Sequence, residues 1–555
     1  MTQPNQQANG QQHPLQSNAP GDMKTLFAAF ARHGKPLRGL MAAADKPTFQ
    51  GRFGRMFADT IPAGTYGATD DESRQALLAL GALMTSKLDE PKDGGDAEES
   101  GIPALYTYFG QFIDHDITFD PMTTLVQHSD PEALTDFRTP ALDLDNVYGR
   151  GPDDQPYLYD DSGLKFLLGE VLDNGAHDLQ RNTANTARAL IGDPRNDENS
   201  IISQFQALML RFHNRLVDEN PGLKFAAIQK IVRWHYQWVV VNDFLPKIIS
   251  SRVLDALKTN GIYDRKKIQF FYWKKTPFMP VEFSAAAYRL GHSMIRPGYR
   301  LNDDDTTLLP IFPVPDTVPG APPGGITPGL TGFQAMAKNR GIDWGRFIDV
   351  GEPRPYGAEI DDETSPASTE TKRRLQLAYR LDTSVVTPLS VLPKSVAFDE
   401  PRSLAQRNLL RGFELGLPTG QSVAKAMGVT PLSDREIIIG KAVDSPEGED
   451  TVGPLSDIPE LSAFRGNCPL WTYILAEAAL PKNIKPVTIP VSPPRDISTP
   501  QLGEVGGRIV AEVFLGLLFG DKHSFLSCDP SWTPTIGSAK SKFGLRDIVS
   551  YALGP

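Results

Sequence analysis

The chain has 555 residues, 40% of them hydrophobic and 22% charged, which is the composition of a soluble globular protein with one large core or several ordinary domains. A net charge of −11 excludes nucleic acid as a main partner, because phosphate binding needs clustered Lys and Arg. Two cysteines, Cys468 and Cys528, exclude a disulfide scaffold and a Cys-based zinc site; one bridge between them stays open, and two buried free thiols is the preferred reading.

Residues 1–22 are rich in Gln, Asn and Pro and almost free of large apolar side chains, so a disordered tail is expected there. No apolar h-region of a Sec signal is seen, so a soluble protein is expected, cytoplasmic or exported by a non-Sec route. Residues 23–555 are expected to form a single domain, with its core at about 50–535. The 48 Gly and 47 Pro predict short helices joined by long irregular loops. The charged, Gly-bearing stretch Glu90 to Gly101 reads as a surface loop.

From Leu105 to Phe119 the apolar residues Leu105, Tyr108, Phe109, Phe112 and Ile113 recur at helical spacing after Pro103, which predicts a buried helix. Gln111, Asp114 and His115 stand at i, i+3 and i+4 and share one face, while Asp116 points elsewhere. Polar groups in a buried helix are costly unless something satisfies them. Further on, Arg138-Thr-Pro-Ala-Leu-Asp-Leu-Asp-Asn-Val-Tyr-Gly149 alternates Thr139, Ala141, Asp143 and Asp145 with other residues. An extended loop of that period presents oxygens to one side, a hard donor set that suits Ca²⁺. It is not an EF-hand, since the glycine and the closing glutamate are misplaced.

Gly192-Asp-Pro-Arg-Asn-Asp-Glu-Asn199 precedes a long helical pattern and sets Arg195 and Glu198 three apart. Helical patterns follow at 201–218, 225–241, 281–295 and 509–518. The third holds Arg289-Leu-Gly-His292 on an apolar helix stopped by Pro297, and Gly291 lets a flat ring approach the backbone. Leu309 to Thr331 is Pro/Gly-rich and reads as a long loop within the domain. Asn408-Leu-Leu-Arg411-Gly412 comes later, and the apolar run Val513 to Phe519 is far shorter than the about 20 residues a membrane helix needs. Convincing alternating strands are scarce, so the fold class is mainly α.

In this order, over about residues 50–535, these motifs resemble the animal-type haem peroxidases of the peroxidase–cyclooxygenase superfamily. The resemblance implies that family's fold, with haem buried between central helices and long irregular loops. It implies a haem peroxidase that uses hydrogen peroxide to oxidise halide, thiocyanate or phenolic donors through a ferryl intermediate. Carried over, Gln111, His115 and Arg195 are the catalytic residues, His292 the axial iron ligand, Asn408 its partner and Arg411 the group that meets a haem propionate. The cofactors implied are haem b and Ca²⁺, the latter held by Asp116, Thr139, the Ala141 carbonyl, Asp143 and Asp145. Asp114 and Glu198 are the carboxylates that can esterify haem. Asn199 stands where one subgroup has a haem-linked methionine, so no such bond is expected. His213, in Leu210-Arg-Phe-His-Asn-Arg-Leu216, reads as a structural core histidine. The alternatives are a fatty-acid dioxygenase and a non-enzymatic haem protein of adhesion. The first is disfavoured because the oxygenases' radical tyrosine, three residues before the proximal histidine, is here Arg289, with Tyr288 one place off. The second is disfavoured by the intact His115, Arg195 and His292.

Overall fold

Segments with apolar side chains at helical spacing become the frame of the molecule in the computed structural model, which describes residues 51–554 apart from internal stretches, the longest being 87–97, 119–134, 316–325, 356–372 and 442–452. The expected N-terminal tail lies outside the described residues. The main helices are α1 (Asp70–Leu83), α2 (Leu105–Ile117), α3 (Ser200–Glu219), α4 (Phe225–Val239), α5 (Leu404–Glu414), α6 (Leu470–Ala478), α7 (Glu504–Gly520) and α8 (Leu545–Leu553). The fold is mainly α. Most buried apolar residues, from Phe53 to Ala552, form one cluster, which takes in Leu545 and Ile548 beyond residue 535, while Leu375, Leu377, Ile489, Val491 and Ile497 form a second, small one.

Helix α2 lies inside this cluster. Leu105, Phe109, Phe112 and Ile113 are fully buried, and Phe109 and Phe112 meet the rings of Phe205 and Tyr236 edge-on. Such contacts add to the burial of the rings themselves. Helix α3 starts where Asn199 caps it, its side chain accepting from the N–H groups of Ile201 and Ile202. Helix α4 continues through a π-turn at Val240–Phe244 before Pro246 re-enters a short helix. In α7 the small residues allow close packing: a Cβ on Gly516 would lie 2.3 Å from the Phe271 ring. This accounts for the apolar run there as core; among the described residues no helix is long and apolar enough to cross a membrane.

Three expectations are corrected. Residues 281–295 do not form one helix: a short helix, Val281–Ser284, breaks at Ala286 and resumes as a 3₁₀ turn, Ala287–His292. The Ser284 carbonyl accepts from the Arg289 guanidinium at 2.9 Å, so it needs no continuing helix to satisfy it. The end of the supposed surface loop is also interior. Strand β1 (Glu99–Pro103) is buried throughout and pairs antiparallel with β2 (Leu377–Tyr379). Glu99 lies fully buried between Arg296 and Arg374; burial works to raise its pKa, but the two guanidiniums hold it lower. The hairpin of β3 (Ile484–Ile489) and β4 (Arg495–Pro500) packs over β1, with the Gly101 N–H donating to Thr499 Oγ1. Cys468 is buried and Cys528 exposed, both as free thiols, so the open bridge is absent and only one thiol is buried.

Candidate functional site

A cavity of about 420 Å³ opens along one side of α2. Helical spacing brings Gln111, Asp114 and His115 to it together, while Asp116 is turned away into the interior. Arg195 and Glu198 reach the same cavity from the turn Pro194–Asp197 ahead of α3. His292 enters from its 3₁₀ turn, and Asn408 and Arg411 from α5.

His115 is 1% exposed, and its Nδ1 lies 2.7 Å from Asn196 Oδ1. That oxygen can only accept, so Nδ1 carries the hydrogen and Nε2 is the basic nitrogen of the neutral ring. The Asn196 amide is itself fixed, donating to Gln206 Oε1 at 2.8 Å. Arg195 donates through Nη2 to the carbonyls of His115 (3.0 Å) and Thr118 (2.7 Å), at the end of α2, and to Asp193 Oδ2. Burial works to raise the Asp193 pKa, but Arg138 and Arg195 hold it far below the usual carboxylate range. Glu198 has the opposite balance: burial, only partly opposed by Arg195, pushes its pKa up to about 8. Its Oε1 lies 3.8 Å from His115 Nε2 and accepts from Gln111 Nε2, and Gln111 Oε1 accepts from Asn199 Nδ2 at 3.3 Å. Asp114 Oδ1 accepts from the Thr118 hydroxyl at 3.0 Å.

On the α5 side, the Asn408 amide stands 2.7 Å from His292 Nδ1. A Cβ on Gly291 would meet nothing within 4 Å, so the backbone beside His292 faces open space. Arg407 and Arg411, one turn apart, both line the cavity. A flat anionic macrocycle needs this set: an imidazole for its metal, clearance beside it, and cations for its acidic edge.

Behind α2 lies a second cluster. Oxygens of Asp116, Asp143 and Asp145 come within 4.8 Å of one another. Asp116 Oδ1 and Asp145 Oδ1 are buried with no hydrogen-bond partner, and Asp116 Oδ2 accepts from the Tyr236 hydroxyl. Burial, then Asp145, pushes the Asp116 pKa up to about 8, and burial raises Asp143 as well. Three carboxylates, two of them with orphaned oxygens, make a donor set for a hard cation. The loop differs from the expected continuous extended strip. Leu144 adopts a left-handed conformation (φ 61°) and Asp145 opens the short helix Asp145–Tyr148, which turns the two loop carboxylates towards Asp116. The Thr139 side chain is exposed, and the described contacts do not join it or the Ala141 carbonyl to the three carboxylates.

Asn196, Gln206, Asp193 and Arg138 complete the site without having been singled out from sequence. Arg138 bridges the two clusters, lying 3.7 Å from Asp145 and hydrogen-bonded to Asp193. Arg138, Asp193 and Asn196 lay in motif stretches, which hinted at a role, while Gln206 lay only in the helical pattern 201–218. His213 is a core group, between the Tyr148 hydroxyl and the Leu164 carbonyl, with its pKa lowered by burial to about 4.

Residues 126–317 match the family described as animal haem peroxidase. Over that segment the chain resembles the animal haem peroxidases. Among its relatives, thyroid peroxidase of Canis lupus familiaris is 25% identical over 310 residues, covering 54% of this chain and 28% of that protein. Chorion peroxidase of Drosophila melanogaster is 25% identical over 135 residues, covering 23% of this chain and 17% of that one. The matches thus span less than a third of either relative. Peroxidase A from Dictyostelium discoideum shares the fold at a TM-score of 0.55 and 15% identity, covering 87% of this chain and 89% of that chain. The two histidine-bearing elements and the carboxylate cluster thus sit in a fold similar to that of peroxidase A.

Proposed function

We propose that the cavity binds haem b and that the protein uses hydrogen peroxide to oxidise small donors such as halides, thiocyanate or phenols. The observation that carries this reading is His115, whose ring is locked by Asn196 with Nε2 as its basic nitrogen, in one cavity with Arg195 and the His292–Asn408 pair. Haem, when bound, supplies the iron to which peroxide adds and the store of oxidising equivalents that donors draw on. The chain supplies the proton traffic. His115 Nε2 takes a proton from peroxide and returns it to the departing oxygen. Arg195, held by Asp193 and by two carbonyls, keeps a fixed positive charge where that oxygen leaves. Gln111 and Glu198 fill the remaining polar edge, and Glu198, raised by burial, holds its proton at neutral pH.

On the other side, Asn408 Nδ2 stands 2.7 Å from His292 Nδ1; with the amide flipped, its oxygen accepts the Nδ1–H of His292, which leaves Nε2 to bind iron. Arg411 and Arg407 serve the propionates. Asp116, Asp143 and Asp145 hold calcium, with Thr139 and the Ala141 carbonyl as the further ligands implied by their motif, and the cation secures the helix that carries His115. Asp114 and Glu198 are the sites of haem ester bonds. A dioxygenase reading is weaker, because Arg289 at the third position before His292 folds back onto the Ser284 carbonyl and places no phenol there. The test is the absorbance spectrum of haem-loaded protein before and after peroxide. A Soret band that shifts on peroxide and recovers with a halide or phenol is expected; an unresponsive band refutes the reading.

A further inference from the structure

Three tyrosines line the cavity: Tyr106, Tyr108 and Tyr288. Their hydroxyls have different partners. Tyr288 donates to the Gly110 carbonyl at 3.2 Å, a main-chain oxygen that cannot take up a proton. Tyr108 packs against Tyr299 and shares a hydrogen bond with that phenol. Tyr106 donates to a carboxylate, Asp243 Oδ2, at 2.6 Å. Asp243 lies in the π-turn after α4, with its side chain 18% exposed and Lys247 Nζ 3.7 Å away. Tyr106 thus joins a buried cavity to a carboxylate at the protein's edge.

The chemistry separates these tyrosines. Burial, reinforced by Asp243, pushes the Tyr106 pKa well above 10, so the ring is a neutral phenol in ordinary conditions. Removing an electron from a phenol makes its O–H strongly acidic, so oxidation is easy only where a base waits at hydrogen-bond distance. Tyr106 is the tyrosine of the three with such a base.

Resting on the peroxidase reading, we propose that Tyr106 and Asp243 form a proton-coupled relay that lets the enzyme oxidise phenolic donors too large for the cavity. Tyr106 gives one electron to the peroxide-oxidised haem centre, and its phenolic proton passes to Asp243. The neutral tyrosyl radical then takes one electron from the bulky phenol at the surface, and Asp243 returns the proton to Tyr106. The donor leaves as a phenoxyl radical and releases its own proton. Two such rounds consume one peroxide, and the two donor protons end in the two waters formed. Asp243 also accepts from the Leu545 N–H at 2.7 Å, so a purely structural tie between α2 and α8 is the competing role.

The experiment is freeze-quench electron paramagnetic resonance of the haem-loaded full chain after peroxide, paired with turnover of a phenol grafted to a long polyethylene glycol and of thiocyanate. Tyr106→Phe keeps the ring, and Asp243→Asn keeps an oxygen for both hydrogen bonds but cannot take the proton. Both variants should lose the tyrosyl signal and slow polymer-phenol oxidation by roughly tenfold or more, with thiocyanate turnover and thermal midpoint near wild type. Tyr288→Phe should keep the signal. A radical that survives Tyr106→Phe, or forms as fast in Asp243→Asn, overturns the relay while a peroxide-responsive Soret band leaves the peroxidase reading standing. A band that never responds to peroxide removes both.

Discussion

Asn196 presents its side-chain oxygen to His115 Nδ1 at 2.7 Å and is itself held by Gln206 at 2.8 Å, so the orientation and tautomer of the His115 imidazole are set by two amides, one from the turn ahead of α3 and one from α3 itself. This makes Asn196 a positioning residue with a measurable signature. His115→Ala and Arg195→Ala should each slow the reaction with peroxide by ~10²-fold or more, the scale of a lost base or stabilising charge. Asn196→Ala should slow it less. Asn196→Asp should move the acid limb of the rate–pH profile upward, because a carboxylate partner favours the protonated imidazole. Stopped-flow rates across pH check all four variants, and wild-type rates in His115→Ala would refute its role.

His292 with Asn408 carries the haem assignment. His292→Ala should lose most bound haem during reconstitution, and Asn408→Leu should retain haem with a shifted reduction potential, since the ligand loses its hydrogen-bond partner. Haem content by pyridine haemochrome and potentiometry give the two readouts. Full haem with an unchanged Soret band in His292→Ala would sink the assignment.

The carboxylate cluster is tied to the distal side twice: Asp116 adjoins His115 in sequence, and Arg138 links Asp145 to Asp193, the anchor of Arg195. Asp143→Ala should therefore lower metal content and peroxide reactivity together. Elemental analysis of purified protein should find calcium in the wild type and a deficit in the variant. Active wild-type protein without calcium counts decisively against the site.

Asp114 and Glu198 both line the cavity, so each carboxylate can reach the periphery of a bound haem. After peroxide treatment, denaturing mass spectrometry should find haem still attached to part of the chain. Asp114→Asn combined with Glu198→Gln should release all of it. Complete release from the wild type at unmodified haem mass removes the ester bonds and leaves the rest of the site intact.

His235 gives an acid sensitivity unrelated to the haem. Its Nδ1–H donates to the Ile231 carbonyl, its Nε2 accepts from the N–H groups of Thr535 and Ile536, and burial lowers its pKa to about 4. The folded ring binds a proton less readily than the unfolded one. Its contribution is therefore complete above the unfolded value of 6.5 and is lost as pH falls towards 4, amounting to about 3 kcal/mol. His235→Gln should lower stability at neutral pH and flatten its fall on acidification, as read by denaturant unfolding at each pH.

The sequence by itself determined the large helices and the identity of the main polar groups. Helical periodicity alone puts Gln111, Asp114 and His115 on one face and Asp116 on another, because 3.6 residues per turn leaves little choice. The oxygen-rich run from Thr139 to Asp145 and the motif order were legible for the same reason: each is local. Contacts distant in sequence were not. Asn196 on His115 is a pairing across 81 residues, Asp243 on Tyr106 one across 137, and Asn408 on His292 one across 116. Nothing in local spacing encodes them. The break at Ala286 depends on where the Arg289 guanidinium turns, and the burial of Glu99 on two arginines some two hundred and more residues away. Helix propensity is summed over neighbours in the chain, whereas hydrogen-bond satisfaction and burial are decided by neighbours in space. Only the folded core brings the latter together.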